Sequence, residues 1–435
     1  MTAKLRNLSL VNISRESFFS FIILISQIFR NFAHNEETSY IFMDTQNTPV
    51  HVRLWHLDFW LLSLANLSLT VMVYMLIPFL PSHLAACHGI MPHEMGMIFV
   101  SYAVGLFMLG GFTTYLVQHY RRNRVCLWTI GLLVLAISQL YFNEHLPVGH
   151  DMTVAVAIVM AIIVGALYGL SKMILMSTLV IDSCESFMRT EANYSATWFG
   201  RLALAVGPAI GLFCHGLIGF RPTILVSCGL GLAAILFIRM AHFPFKAPED
   251  NVRLWSADRF FLVRGLPLFS VLFMMTAVVG ALFTTWVGIS FYAFMLLGLV
   301  LALLAEKFVF VDADLKSEVV TGLICMSAAV IMLMTSRLAV VTAVIPVLLA
   351  FGIALIGTRF LLFFIKLSRH CQRGTSQSTF LLGWESGLAA GLALGYGVLE
   401  RNAYAVCITA LSLAVVAMFV YNSFLHQWYM EHRNR

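Results

Sequence analysis

Runs of about 20 apolar residues, the length that a helix needs to cross a bilayer, recur along almost the whole chain. Hydrophobic residues make up 60% of the 435 residues, charged residues make up 11%, and the mean hydropathy is +0.87. A soluble domain carries roughly a quarter of charged residues. The sequence therefore predicts an all-α polytopic membrane protein, in which each backbone polar group is satisfied within its own helix.

We predict twelve membrane-spanning helices in two pseudo-symmetric, parallel groups of six. The predicted spans cover 57–82, 93–118, 124–143, 152–181, 192–217, 222–243, 265–284, 286–305, 318–335, 339–366, 376–398 and 403–425. The predicted organisation is an N-terminal half over 43–243, a linker over 244–264, a C-terminal half over 265–425 and a tail over 426–435. The connections are short, which leaves no room for a soluble catalytic domain.

Residues 1–42 do not fit this pattern. Their apolar run, from Phe18 to Phe29, is too short to span a bilayer comfortably, and no small-residue cleavage site follows it. We interpret them as an extension that is not native, with Met43 as the start. Detection of these residues in the mature protein by mass spectrometry would contradict that interpretation.

An internal repeat relates the two groups of spans at an offset of 184 residues. Arg189, Arg201, Gly207 and Gly211 of the first stretch correspond to Arg373, Glu385, Gly391 and Gly395 of the second. A shorter match, Leu54-Trp55-x-x-Asp58 with Leu254-Trp255-x-x-Asp258, marks the start of each group. Because each group has six spans, the repeats share one orientation about an axis along the membrane normal.

The basic residues predict the orientation, since Lys and Arg are retained on the cytoplasmic side. A cytoplasmic N-terminus places 21 of the 27 Lys and Arg residues inside the cell. Only Arg221, Arg337 and Arg401 then lie on the opposite side. Both termini are therefore predicted to be cytoplasmic.

Four ionisable residues within the spans are the predicted substrate and proton pathway: Lys172, Arg201, Arg359 and Glu385. A charge in the hydrocarbon costs at least about 2.5–3.5 kcal/mol, so such residues indicate function. We expect Glu385 to be the protonatable coupling group and to pair with Arg359, which lies at a similar depth on the neighbouring span. The excess of positive charge favours an anionic solute. In the alternative interpretation, Lys172 snorkels and Arg201 satisfies backbone carbonyls.

Charges at the predicted cytoplasmic ends also reverse sign across the repeat. Asp182 aligns with Lys366, and Glu185 aligns with Arg369. Salt bridges between these loops would form a cytoplasmic gate. Exposed pairs contribute only about 0–1 kcal/mol each, which suits a gate that must reopen. Ordinary solvated helix ends are the alternative.

Small residues form faces on the fifth and eleventh predicted spans. They are Gly207, Pro208 and Gly211, and Gly383, Gly387, Gly391 and Gly395. A spacing of four residues keeps them on one face, where another backbone can approach closely. This face either slides between the halves or packs statically.

Taken together, the spans, the repeat and the linker resemble the major facilitator superfamily of transporters over roughly 43–435. The family's loop motif after the second span is degenerate here, with Gln118 in place of the acid and Arg121 in place of the second glycine. Gly207-Pro208-x-x-Gly211 is similar to the motif of the family's proton-coupled exporters. The resemblance implies a monomeric secondary transporter of a bacterial inner membrane, which exports a small organic solute in exchange for protons.

Other functions remain as alternatives. A proton-driven importer or a uniporter would have the same fold, and a lipid-modifying membrane enzyme would need clustered catalytic groups that are not visible. The eight cysteines show no CxxC pair and no metal-ligand spacing, so we expect no metal and no cofactor. The net charge of +6 is explained by the cytoplasmic loops, and no nucleic-acid partner is expected.

Overall fold

Twelve long helices follow one another in a computed structural model that describes residues 54–142, 150–185, 187–243, 249, 251–310, 313–336 and 338–433. Their bounds are α1 Leu57–Tyr74, α2 Pro92–Met108, α3 Arg122–Phe142, α4 His150–Ile174, α5 Arg189–Ile218, α6 Phe220–Met240, α7 Leu266–Leu282, α8 Ile289–Phe308, α9 Leu315–Thr335, α10 Ala339–Leu367, α11 Arg373–Ala393 and α12 Ala403–Val420. Described residues from His56 on form one unit, and Leu54 and Trp55 belong to a separate N-terminal unit. The predicted extension, 1–42, lies outside the described residues.

Several helices continue beyond these bounds with a change of pitch. After a 3₁₀ turn, α2 is followed by the helix Thr113–His119, and α4, α11 and α12 each run into a π-helical turn. The predicted first span, 57–82, is wrong at its end, because α1 ends at Tyr74 and a second helix covers Leu80–His88. Pro78 explains the break, since proline disfavours helical conformation in the residue before it, and Pro81 lies in the first turn of the second helix, where proline is tolerated.

Helix packing follows the internal repeat. In the N-terminal half, α1 packs on α5 and α6, α2 packs on α4, and α3 packs on α4 and α6. Each contact recurs six helices later: α7 packs on α11 and α12, α8 on α10, and α9 on α10 and α12. The contacts between the halves obey the same rule, since α2 packs on α11 and α5 packs on α8. The two halves are therefore two copies of one arrangement.

Lipid-facing and buried helices are clearly separated. Large apolar side chains are exposed on the outer helices α3, α6, α9 and α12, for example Leu135, Leu232, Ile331 and Phe419. Such a surface belongs in hydrocarbon rather than in water. Eleven of the described helices are long and apolar enough to span a membrane. The chain is a multi-pass membrane protein.

The remaining helix, α11, is too polar to meet that criterion and is almost entirely buried. Residues from Thr375 to Leu388 are all buried inside the bundle, including Gln377 and Glu385. A helix that meets protein on every side can carry polar groups at membrane depth, because neighbouring helices satisfy them. The polarity of α11 thus places it at the centre.

The glycine faces lie inside each half. A Cβ on Gly391 would meet the backbone of α7 at Ala277 and Ala281, and one on Gly211 would meet the backbone at Met75, just after α1. These are symmetry-related contacts within a half, so static packing accounts for both faces. Between the halves, the closest glycine contact joins Gly96 on α2 and Gly397 in the turn after α11.

We predict that Gly391→Ala lowers the unfolding temperature and that Gly229→Ala does not. The added methyl at Gly391 overlaps backbone atoms, and such overpacking costs about 1–3 kcal/mol. At Gly229 no heavy atom lies within 4 Å of the new Cβ, and alanine favours a helix interior by roughly 0.5–1 kcal/mol. Thermal unfolding of both variants in detergent micelles tests this, and equal unfolding temperatures would contradict the packing described.

Candidate transport site

Glu385 lies near the middle of α11, and its carboxylate is held entirely by the N-terminal half. The Tyr74 hydroxyl donates to Oε2 and the Tyr168 hydroxyl donates to Oε1, each at 2.9 Å. Lys172 Nζ lies 3.9 Å from Oε1. The carboxylate and the ammonium are both buried. The charge of Glu385 is therefore part of the contact between the halves.

Lys172 is positioned by α1 and by its own helix. Its ammonium donates to the Thr70 hydroxyl and lies 3.4 Å from the Tyr168 hydroxyl, one helical turn away. Asn66, one turn before Thr70, donates to the Ala196 carbonyl of α5 at 2.8 Å. These bonds tie α1, α4 and α5 together around the ammonium.

The expected pair of Glu385 and Arg359 is wrong. Arg359 on α10 forms a bidentate ion pair with Glu318 on α9, inside the C-terminal half. Glu318 is completely buried, whereas the Arg359 side chain is 18% exposed. A similar depth in the membrane does not determine which neighbour a side chain faces.

A further carboxylate, which the sequence pattern did not indicate, lies between the halves. Glu306, near the end of α8, accepts hydrogen bonds from Tyr194 of α5 and Thr358 of α10. It also interacts electrostatically with Arg201. With Glu306 and Glu318 included, three cations face three carboxylates. The predicted excess of positive charge is therefore wrong, because these cations and carboxylates are equal in number.

Arg201 on α5 differs from the other two cations in its hydrogen bonding. Its guanidinium is only 2% exposed, yet no described group accepts a hydrogen bond from Nε, Nη1 or Nη2. Aromatic rings surround it instead, with Trp198 at 5.1 Å, Phe380 at 5.9 Å and Trp384 at 6.0 Å from Cζ. The alternative in which Arg201 satisfies backbone carbonyls is not supported among the described residues.

The four residues of the predicted gate are not joined to one another in the described structure. Asp182 pairs with Arg122 in its own half, and Lys366 and Arg369 are exposed. We call the face of the bundle that carries the linker the linker face. Contacts across it are made by other residues.

Asp258 and Arg259 of the linker close this face. Thr375, at the start of α11, donates to the Asp258 carboxylate at 2.9 Å and accepts from the Arg259 backbone N–H at 2.8 Å. Asp258 also accepts from Thr114, after α2, and Arg259 Nη1 lies 3.5 Å from the Thr178 hydroxyl, after α4. Burial lowers the pKa of Arg259, and Asp258 acts in the opposite direction. The linker thus bridges the halves.

A cavity of about 190 Å³ reaches Glu385 from the opposite face. Its outer end is lined by the helix Leu80–His88 and its walls by apolar side chains of α1, α3 and α4, such as Ile137 and Met160. Tyr74, Tyr102 and Glu385 form its inner end. This cavity therefore offers a route to Glu385 from the face opposite the linker. Within the described residues no group of three His, Cys, Asp or Glu could hold a metal ion.

The sequence spacing indicates one of these partners, whereas two others are not evident from it. Tyr168 lies four residues before Lys172, so the two share a helix face. Glu306 and Glu318 were placed at or beyond the ends of predicted spans, where a carboxylate is ordinarily solvated. The observed α8 lies three residues further along the chain than the predicted span, and the observed α9 begins three residues earlier, so both carboxylates lie within helices, with Glu318 buried and Glu306 half-buried.

Comparison with solved structures identifies the fold as that of the major facilitator superfamily. The human organic anion transporter MFSD10 has a TM-score of 0.63 at 14% identity, over 84% of this chain and 98% of that chain. A point mutant of the nucleoside transporter NupG has a TM-score of 0.61 at 12% identity, over 85% and 99%. A bacterial homologue of the iron transporter ferroportin in its outward-facing state has 0.61 at 14%, over 85% and 99%. No protein-family model and no curated protein matches the sequence.

We predict strong energetic coupling between Arg359 and Glu318 and little between Arg359 and Glu385. Removing one partner of a buried pair costs roughly 3–5 kcal/mol, less where one side is partly exposed, whereas replacing both with apolar residues is often neutral. Glu318→Leu should therefore destabilise the protein more than Glu318→Leu combined with Arg359→Met. Double-mutant cycles from thermal unfolding measure both couplings. A larger coupling for Arg359 with Glu385 would contradict this geometry.

Proposed function

We propose that this chain is a secondary active transporter that works by alternating access and couples movement of a small organic solute to protons at Glu385. The observation that carries this proposal is the position of Glu385, a carboxylate of the C-terminal half that is held by Tyr74, Tyr168 and Lys172 of the N-terminal half. In alternating access the halves rock against each other, so contacts between them must weaken and re-form.

Protonation of Glu385 changes the strength of this contact. The ionised carboxylate accepts two charge-assisted hydrogen bonds and attracts Lys172, and hydrogen bonds to charged groups contribute about 1.5–3 kcal/mol against about 0.5–1.5 kcal/mol for neutral ones. The neutral acid loses the ionic attraction. One proton thus shifts the balance between packed and separated halves by an amount large enough to change their populations.

Access to Glu385 supports the same interpretation. The cavity leads to it from the face opposite the linker, while Asp258, Arg259 and Thr375 hold the linker face together. A site that is reached from one face and closed at the other is what one end state of alternating access requires. The proposal places the linker face in the cytoplasm, because basic loops are retained inside the cell. The bacterial inner membrane is the location that the resemblance of the sequence implies.

Efflux is the proposed direction, since Gly207-Pro208-x-x-Gly211 lies within α5 as a closely packed, proline-containing segment similar to the motif of proton-coupled exporters. The alternatives are an importer and a uniporter of the same fold. A uniporter would move no protons, and an importer would move solute and protons in the same direction.

We predict that Glu385→Gln abolishes solute-driven proton movement and keeps solute exchange. Glutamine accepts and donates hydrogen bonds as the neutral acid does, but it cannot release a proton. Solutes found by thermal-shift screening of the purified protein would be tested in proteoliposomes with an internal pH-sensitive dye and, separately, by counterflow of radiolabelled solute.

The matched control is Glu431→Gln, which changes an exposed carboxylate near the chain end. The control should keep both activities. Solute-driven proton movement at the unaltered rate in Glu385→Gln would contradict the proposed coupling role, and loss of counterflow as well would indicate a structural role instead.

A further inference from the structure

We propose that Arg201 binds the carboxylate of an aromatic solute, at a site that the two halves form together. This inference rests on the proposed function in one respect, because the bound solute is taken to be the one transported. It adds the chemical class of that solute and the residues that recognise it.

The donors around Arg201 call for an acceptor. The guanidinium offers five N–H groups in a fixed fork, and no described group accepts from any of its three nitrogens. A ligand that satisfies these donors must present acceptor oxygens. A carboxylate fits, because its two oxygens match the guanidinium fork in a bidentate geometry.

The protein does not supply this acceptor itself. Glu306 is the carboxylate that acts on Arg201 electrostatically, but its hydrogen bonds come from Tyr194 and Thr358, and none comes from the guanidinium. A buried ion without a hydrogen-bonded counter-charge is destabilising in proteins generally, so a sequence would retain it where a ligand completes the pair.

The walls of the site favour an aromatic body. Trp198, Phe380 and Trp384 place three rings within 6.0 Å of the guanidinium carbon. Aromatic pairs attract one another beyond the contribution of the area that they bury. Gly357 of α10 lets the Trp384 ring and the guanidinium pack closely against its backbone, since a Cβ there would lie 3.2 Å from Arg201 Nε and would overlap the Trp384 ring.

The walls also come from both halves. Arg201 and Trp198 belong to α5, whereas Phe380 and Trp384 belong to α11 and Gly357 belongs to α10. The guanidinium is sealed while these helices touch and becomes accessible when the halves separate. Binding of a solute at this site therefore depends on how far the two halves are separated.

The test uses 1-naphthoate, its neutral amide 1-naphthamide, and the non-aromatic cyclohexanecarboxylate as probes of purified full-length protein. We expect 1-naphthoate to raise the unfolding temperature with concentration and to quench tryptophan fluorescence, with at least tenfold weaker effects from both other probes. An equal response to the amide would overturn the anion site, and an equal response to cyclohexanecarboxylate would overturn the aromatic body.

Arg201→Met gives a readout that separates a binding role from a structural one. Methionine fills similar space without a charge, so the ligand-free variant should unfold at a higher temperature than the unaltered protein and should lose the 1-naphthoate shift. Arg201→Lys should keep a part of the shift, since it retains the charge without the fork. A lower unfolding temperature for ligand-free Arg201→Met would mean that the charge is satisfied within the protein, and would overturn the proposal.

Failure of this inference is distinguishable from failure of the transport proposal. At low pH, where Glu385 of the unaltered protein is neutral as the glutamine is, binding of 1-naphthoate by Glu385→Gln should match binding by the unaltered protein, because Glu385 contacts Tyr74, Tyr168 and Lys172 rather than the aromatic site. Binding without solute-driven proton movement in the unaltered protein would leave the anion site standing and overturn the coupling. Proton-coupled movement of other solutes without 1-naphthoate binding would overturn the anion site and leave the coupling standing.

Discussion

An ionised side chain can remain at membrane depth only where neighbouring helices supply its hydrogen bonds and its counter-charge. Glu385 meets this requirement in one particular way, because the groups that hold it come from the opposite half of the molecule. The same bonds that make the charge tolerable also fasten the halves together. The arrangement of the central helices, the placement of Lys172 and the accessibility of the site all follow from this dual role.

The other charges are distributed so that only one remains unmatched. Arg359 and Glu318 form a pair within the C-terminal half, and Glu306 is held by two hydroxyl groups. Of the described cations Lys172, Arg201 and Arg359, Arg201 is the one whose buried nitrogens meet no acceptor. The proposed proton site and the proposed anion site thus occupy the two equivalent positions of the internal repeat, Glu385 and Arg201. An approximately symmetric scaffold with opposite charges at equivalent positions offers two chemically different sites between the same halves.

The sequence predicted the parts of this structure that depend on local pattern. Apolar runs of the right length predicted the helices, and the repeat predicted the six-helix offset that relates their contacts. Partners across helices were harder, because a helix rotation of a few tens of degrees changes which neighbour a side chain faces. Glu385 was assigned to Arg359 for that reason. Glu306 and Glu318 lie just beyond and at the end of predicted spans, where a carboxylate is ordinarily solvated, because the span bounds predicted from hydropathy differ from the observed ones by three residues. The role of Asp258 and Arg259 depends on a linker conformation with a left-handed Arg259 that composition does not indicate.

The central claim is that the charge on Glu385 controls the contact between the halves. The most direct test is a pulsed electron–electron distance measurement between spin labels at Ala86 and Tyr404, both exposed and located one in each half, in a variant whose eight native cysteines are replaced. We predict that the distance distribution shifts with pH in the otherwise unaltered protein, and that Glu385→Gln holds it at the low-pH distribution at every pH. The same pH-dependent shift in Glu385→Gln would contradict the claim.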